Sequence, residues 1–307
     1  MVSLRSVDIS LFPQIYPLLQ KIDPQLSEAE WYSLFTQPWH QPEDYCGYGL
    51  FDGSTMVGFL GLIFSQRNID GQIENFCNST SWFIEESYRG RAISMLLSLR
   101  KLKNYTIIDL SPSERVVAIS KKLGFQELDT QITALPNILG KIKINNKLKI
   151  TRDFSSIQSK LNSAEKLLLE DHCFPRCHHL LAEADGKHCY IIFTIVKNTK
   201  SPYYYIQHLS NPELFARYSL AIRQGIAAID KFSLILIDRR LLRGTKPTLC
   251  FDLPVKVCKL YKSSRLKPEQ IDNLYSELII LDFDPIPAFG WREIIASLKK
   301  NYLSLNR

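Results

Sequence analysis

Nothing in the 307 residues reads as a membrane span. No window approaches the roughly 20 consecutive apolar residues that a transmembrane helix needs. The opening "MVSLRSVDISLF" lacks the charged-then-apolar order of a secretion signal, because Arg5 and Asp8 interrupt the run. The cysteines number seven, an odd count at scattered spacings, which argues against a disulfide framework. These absences imply a reducing, cytoplasmic setting. A long basic run is missing too: the net charge of +7 is a mild excess that suits anionic small molecules, and no nucleic-acid-binding tail is marked. The sequence is also short of a metal pattern. "DHCFPRCHH" crowds His172, Cys173, Cys177, His178 and His179 together. Its spacing matches no common zinc motif and no second ligand pair follows, so it reads as a loop of packed thiols and imidazoles without metal.

What is present is a chain 45% hydrophobic and 22% charged, enough for a real core and, at this length, for two domains. In the first half "DISLFPQIYPLLQKI" spaces Leu11, Ile15, Leu18 and Ile22 as a helix. Ser27 and Glu30 form a capping-box pair that opens a second helix. "YGLF" and "MVGFLGLIF" flank Asp52-Gly53, a hairpin signal because glycine accepts positive φ. "QIENFCNSTSWFI" is a longer strand, bulged near Asn78. A helix from Arg89 follows, then the buried strand "YTIIDL". "SPSERVVAISKKLGF" predicts a helix capped by Ser111, with Pro112 in its first turn, Glu114 completing a capping box and Gly124 ending it. "FQELDTQITAL" is a further strand.

The second half repeats this order. A helix, "SSIQSKLNSAEKLLLED", precedes a strand, a second Asp-Gly hairpin at Asp185-Gly186 and the strand "YYYIQHL". The helix "NPELFARYSLAIRQGIAAI", the buried strand "FSLILI", then "LCFDLPVKVCKLY" and a final "SELIILDF" complete it. A joint near Lys147–Phe154 divides the chain into 1–150 and 151–307. The halves share element order, not residue identity.

One stretch carries chemistry. "EESYRGRAIS", Glu85 to Ser94, lies between the strand "SWFI" and a helix. A helix N-terminus leaves N–H groups unpaired and adds partial positive charge, so it binds phosphate. Arg89 and Arg91 add formal charge, and Gly90 lets backbone approach an anion closely. Arginines oppose the dipole at a helix start, where a structural cap would favour Asp or Ser; a bound anion explains them better.

"FIEESYRGRAISMLL" followed by "SERVVAISKKLGF" resembles the GNAT superfamily of acyl-CoA N-acyltransferases over roughly residues 1–150. That family shows Arg/Gln-x-x-Gly-x-Gly/Ala at this turn and a later helix ending in a Leu-Gly-Phe-like sequence. Here Arg89, Ala92 and Ser94 take the motif positions, and Leu123, Gly124 and Phe125 the helix end. The resemblance implies two tandem GNAT-like α+β units, each a mixed, mostly antiparallel sheet flanked by helices. The first would bind acyl-CoA; the second would be degenerate. It implies that acetyl-CoA or a longer acyl-CoA rests its pyrophosphate on the amides of Gly90, Arg91, Ala92, Ile93 and Ser94. The pantetheine arm would pair with the backbone of Phe83 and Ile84 like an added strand, and Ser113 would take the place of an Asn that often faces the cofactor. Two departures stand out: Ala92 and Ser94 fill positions usually bare or smaller, and Ser120 stands where relatives keep a tyrosine that protonates the leaving thiolate.

The acceptor so implied is a primary amine of a small molecule, amino acid or peptide. Its proton needs an acceptor, for which Glu74 is the first candidate, with Glu85 and Asp109 behind it. Cys77 reads as a buried structural thiol rather than a nucleophile. The second half has "SNPEL" at the corresponding turn. There Asn211 caps, Pro212 removes an amide and Glu213 would repel a phosphate. "DRRLLRGTK", from Asp238 to Lys246, reads as a solvated basic loop. The rival expectation is a non-catalytic acyl-CoA-sensing or protein-interaction module.

Overall fold

In a computed structural model of the chain, the described residues are 1–129, 131–137, 147–197, 202–230, 234–282, 284 and 286, with the side chains of 254–256 set aside. They divide into two compact units. Unit 1 comprises Met1–Leu128, Cys258–Gln270 and Tyr275–Leu281, and unit 2 comprises Asp129–Val257, Ile271–Leu274 and the chain from Asp282. The division is therefore not a single cut near residue 150.

Unit 1 opens with β1 (Val2–Val7), a strand without a sequence signal strong enough to single it out; it runs antiparallel to β2 (Gly47–Asp52). Between them, α1 (Phe12–Leu19) buries Phe12, Ile15, Leu18 and Leu19, whereas Ile22 lies beyond its end and is exposed. In α2 (Glu28–Ser33) the expected capping box forms: Ser27 Oγ accepts from the Glu30 amide, and the Glu30 carboxylate accepts from the Ser27 amide. The turn at Asp52-Gly53 leads into β3 (Thr55–Ile69), with Gly53 at φ +61°. A second Asp-Gly pair, Asp70-Gly71 at φ +51° and +84°, joins β3 to β4 (Gln72–Ile84), in the two-residue geometry that positive φ allows. After a 3-10 turn at Glu86–Arg91 come α3 (Ala92–Ser98), β5 (Tyr105–Asp109), α4 (Glu114–Lys122) and β6 (Gln126–Glu127).

The chain then passes into unit 2 through β7 (Gln131–Pro136) and β8 (Lys149–Thr151). The single helix expected next is two, α5 (Phe154–Gln158) and α6 (Ser163–Asp171), because Asp153 and Asn162 each cap a fresh start; Asn162 and Glu165 form a capping box. The hairpin β9 (Cys177–Ala184) and β10 (Lys187–Val196) turns at Asp185-Gly186, as the sequence implies. β11 (Tyr203–Leu209), α7 (Pro212–Arg217), α8 (Ser219–Ala227), β12 (Leu234–Asp238) and β13 (Phe251–Lys256) follow. Then β14 (Leu260–Lys262) returns to unit 1, and "SELII" there forms the short helix α9 (Glu277–Ile280).

Each unit holds one seven-stranded sheet. The orders are β1-β2-β3-β4-β5-β14-β6 and β8-β9-β10-β11-β12-β7-β13, the same plan twice. In both, the fourth and fifth strands are parallel, and all other pairs are antiparallel. In both, the sixth place is filled from the opposite half of the sequence. "FQELDTQITAL" is thus not one strand: β6 stays in the first sheet while β7 crosses to the second. "LCFDLPVKVCKLY" divides likewise into β13 and β14. Leu260, fully buried, joins Leu62, Phe64, Met95, Leu96 and Phe125 in the unit 1 core, and Leu135 joins Ile191, Phe193 and Ile235 in that of unit 2.

Among the described residues, β6 has its ladder partner only in β14. A fragment ending at residue 150 is therefore expected to lack a cooperative thermal transition, whereas the full chain melts cooperatively; circular dichroism of both checks this. In the full chain, Leu260→Ala is expected to lower stability by about 2–5 kcal/mol in urea unfolding.

Candidate functional site

The site is set by where two parallel strands part. β4 and β5 pair only from Asn75↔Tyr105 to Asn78↔Ile108. Ser79 Oγ donates to the Ile108 carbonyl at 3.3 Å across the point of divergence. Beyond it, β4 continues along β3 alone, with Phe83 opposite Phe59 and Ile84 opposite Gly58. Among the described residues, the other edge of β4 has no ladder partner from Ser79 onward. The bulge expected near Asn78 lies instead at Ser81–Trp82. Asn78 cannot host it, because it is held on both sides, by Ile63 and Ile108. Ser81 takes φ +50°, in the left-handed region, and the register shifts there. The adjacent Trp82 indole N–H is enclosed without an acceptor.

β4 runs into the arginine-bearing turn. The helix expected from Arg89 begins three residues later, at Ala92; the chain before it is a 3-10 turn, in keeping with the low helix propensity of Gly90. The Ala92 amide donates to the Arg89 carbonyl, so it is already committed inside the turn. Ser94 Oγ donates to the Arg91 carbonyl at 2.6 Å. Arg89 is exposed and pairs with Glu86 at 3.2 Å. Arg91 and Gly90 are exposed, as is Ile93. A Cβ at Gly90 would meet nothing within 4 Å, so the space beside this glycine is open. Phe83 and Ile84 are partly exposed.

The remaining residues singled out from sequence scatter. Ser113, not Ser111, is the N-cap of α4, and it caps through backbone geometry without a side-chain bond. Ser111 has another partner: its Oγ donates to Glu277 Oε1 at 2.5 Å. The far end of α4 is as expected. Gly124 adopts φ +87°, and the amides of Phe125 and Gly124 bond the carbonyls of Ser120 and Lys121, a Schellman motif. Ser120 sits there, 2% exposed. Its place is about 10 Å along α4 from Ser113 at 1.5 Å per residue. Glu74 lies at the opposite end of β4, about 23 Å from Ser81 at 3.3 Å per residue. It is buried and paired with Arg265 at 2.8 Å. The structure thus does not bring Glu74 to the divergence. Glu85 accepts from Lys21 Nζ. Cys77 is fully buried, and burial pushes its thiol well above the usual range.

Sequence reasoning missed Glu277. It is the first residue of α9, 2% exposed, and it comes to the divergence from 166 positions beyond Ser111. Asn78 Nδ2 donates to its Oε2 at 2.5 Å. Asp109, at the end of β5, is pushed well above the usual carboxylate range by burial first and by the charge of Glu277 second, with the neighbouring Ser111 amide and Ser79 hydroxyl opposing the shift. The only local signal was an acid directly before an apolar run.

In unit 2 the corresponding gap is filled by the chain itself. β11 and β12 pair through Ile206↔Ile237, and immediately beyond, the Asn273 amide donates to the Gln207 carbonyl. Asp238, the counterpart of Asp109, accepts from Tyr205 at 2.6 Å, Arg240 at 2.9 Å and Asn273 at 3.1 Å. The loop expected to be solvated has Arg240 inside, while Arg239, Arg243 and Lys246 are exposed, Arg239 bound to Asp129 and Asp252. Asn211 caps α7 as expected, its Oδ1 accepting from the Leu214 amide. His179 bonds Tyr190 Oη through Nδ1 and the His172 carbonyl through Nε2, and burial pushes it down to about 4. Among the described residues no three His, Cys, Asp or Glu side chains gather as a metal set, and no helix is long and apolar enough to cross a membrane.

No family model and no curated protein matches the sequence. Solved structures do match. A GCN5-related N-acetyltransferase from Anabaena variabilis superposes at a TM-score of 0.56 and 12% identity, over 85% of this chain and 72% of that one. A probable N-acyltransferase from Enterococcus faecalis gives 0.55 and 14% over 85% and 72%. A putative acetyltransferase from Pyrococcus horikoshii gives 0.50 and 12% over 92% and 93%. The fold is the GNAT fold. At such identities the likeness establishes the architecture alone; within it, the parted strands, the bulge and the turn into α3 mark the candidate site of unit 1.

All seven cysteines are free, with Cys77 buried and Cys173 exposed. Native protein treated with Ellman's reagent is expected to react first at Cys173, while Cys77 reacts only on unfolding; peptide mapping of the labelled chain distinguishes them.

Proposed function

We propose that the chain is an acyl-CoA-dependent N-acyltransferase working through unit 1. The observation that carries this is the open edge of β4 from Ser79 to Ile84, leading directly into the turn that bears Arg89 and Arg91. The edge can receive an extended pantetheine arm by main-chain pairing at Phe83 and Ile84. That arm has about as many backbone bonds as four residues, or roughly 14 Å of extended chain. Laid from the turn toward the divergence, it brings its sulfur end to the neighbourhood of Ser79 and Thr80. The open space beside Gly90 fits a ligand there. The pyrophosphate would rest on the amides of Gly90, Arg91, Ile93 and Ser94 with the two guanidinium groups. The Ala92 amide is a weaker candidate, being already bonded. Ser113 would face the cofactor from α4. The donor is acetyl-CoA or a longer acyl-CoA, and the acceptor a primary amine of a small molecule, amino acid or peptide.

In this reading Glu74 is too far along β4 to take the acceptor's proton, and Ser120 is too enclosed and too weak an acid to protonate the departing thiolate. Loss of that acid is tolerable, because a thiol with a pKa near 8.5 leaves without help. Unit 2 would not bind coenzyme A in this way, since its gap is filled and its turn reads Asn211-Pro212-Glu213. The burial of Ser120 also favours a second reading, a non-catalytic acyl-CoA sensor.

Isothermal titration with coenzyme A is expected to give saturable binding. The double variant Arg89→Glu/Arg91→Glu is expected to weaken it at least tenfold, with the larger effect at low salt. No binding at millimolar coenzyme A would sink the proposal. Thiol release from acetyl-CoA with amines separates transferase from sensor.

A further inference from the structure

Unit 2 holds a cavity of its own, walled in part by "DHCFPRCHH", a motif for which acyl-CoA chemistry has no use. The cavity has a volume of about 390 Å³ and is lined by Arg152, Phe154, Cys177, His178, His179 and Ile229. Small-molecule sites span roughly 300–1,000 Å³, so it suits a small ligand. It lies beside a strand edge that is left over. β8 pairs with β9 only as far as Thr151↔Leu181, so among the described residues the outer edge of β9 from Cys177 to Leu180 has no ladder partner. Arg152 follows β8 directly, Phe154 begins α5, and Ile229 lies just beyond α8. Phe154 and Ile229 are exposed, at 38% and 36%, although both are large and apolar. Of the polar groups, His179 is committed through both ring nitrogens, to Tyr190 and to the His172 carbonyl. Arg152 and His178 are not. Arg152 is exposed, and its one hydrogen bond among the described residues is long, from Nη1 to the Gly225 carbonyl at 3.4 Å. His178 is partly exposed, touches the Phe193 ring at 5.5 Å and makes no hydrogen bond to another described residue. Burial holds His178 below its usual range, against the charge of Asp230, so its imidazole is neutral. The acids nearby are already engaged: Asp230 pairs with Lys197 at 3.1 Å, and the Asp153 carboxylate caps α5. The formal charge of the wall is that of Arg152.

We infer that this cavity binds a small aromatic carboxylate, with the carboxylate on the Arg152 guanidinium and the His178 imidazole and the ring against Phe154 and Ile229. A guanidinium presents a planar fork that meets a carboxylate with two parallel bonds. A neutral imidazole adds one N–H donor without adding charge. One free cation close to Asp230 and Asp153 favours a monoanion over a phosphate, whose second charge would find no partner. The two exposed apolar side chains gain by covering a ring and leaving water. A single ring with a short acid arm fills the space, which is the share of about 13 water molecules at ~30 Å³ each. The site is independent of whether unit 1 takes acyl-CoA.

The probe is phenylacetate, with phenylacetamide as its neutral counterpart. The chain has six histidines, and in protein labelled with 13C at their rings the His178 signal is identified by its loss in His178→Gln. That signal is expected to move saturably with phenylacetate, with a Kd in the millimolar range usual for so small a ligand. Phenylacetamide is expected to bind at least about tenfold more weakly, because it offers the guanidinium no charge. Arg152→Gln is expected to weaken phenylacetate by at least about tenfold and to bring acid and amide close together. Phe154→Ser is expected to weaken both by about threefold or more. Both substitutions are at exposed positions, so melting temperatures within about 2 °C of the native chain are expected and show that the fold is kept. If a variant does not fold, the comparison of acid with amide on the native chain decides alone. No saturable movement of the His178 signal at tens of millimolar phenylacetate overturns the site. So does movement of all six histidine signals together in proportion to concentration. Equal binding of acid and amide, or an Arg152→Gln protein that binds as the native chain does, overturns the carboxylate recognition.

Discussion

Two parallel strands that stay together for only four residue pairs set the character of unit 1. While β4 and β5 are paired, their amides and carbonyls satisfy one another. Once they part, β4 is left with one unsatisfied edge, and a buried or half-buried edge must find a partner. The bulge at Ser81 bends β4 at this stage, the 3-10 turn carries it to α3, and the acids of β5 and α9 collect at the fork. The candidate site is therefore not a set of residues placed on a finished scaffold. It is what remains when a sheet is opened in its middle.

The second sheet shows the same opening resolved differently. There the fork holds Asp238 with Arg240 across from it and Asn273 bonded to both, so the buried carboxylate meets an opposite charge and three donors. A buried ion is tolerated when it is paired and hydrogen-bonded in this way. In unit 1 no buried arginine meets the acid of the fork: Glu277 accepts from Ser111 and Asn78, and Asn78 keeps an acceptor atom without a partner. One plan has thus been used once as a closed joint and once as a polar opening.

Much of this was legible in the sequence wherever the determinant is local. Asp-Gly turns, the Ser27–Glu30 box, the buried strands at Tyr105 and Leu234, and the Leu123-Gly124-Phe125 helix end all depend on residues within a few positions of one another. The arginine turn was placed correctly between strand and helix, but its hydrogen bonding was not, because a glycine shifts a helix start by a few residues without changing its pattern. What was missed is non-local. β1 is held by pairing with β2 rather than by a strong pattern of its own. Ser111 was taken for a cap because its true partner, Glu277, lies far along the chain. Glu74 looked suitable as an acid on the right strand, but residue type says nothing about which end of a long strand faces the opening. The crossing of β7 and β14 left no mark in composition at all.

That crossing has a consequence in time. During synthesis the last local strand of the first sheet, β6, emerges about 130 residues before β14, the strand that must lie beside it. At roughly 5–20 residues per second this is a delay of about 7–26 s. Through that interval β6 has no ladder partner and the β14 edge of β5 stays unpaired, a template for any passing strand. The charge of Glu127 on β6, paired with Lys121, works against a wrong neighbour there. The exchange that completes each sheet is also the period of greatest exposure for the first.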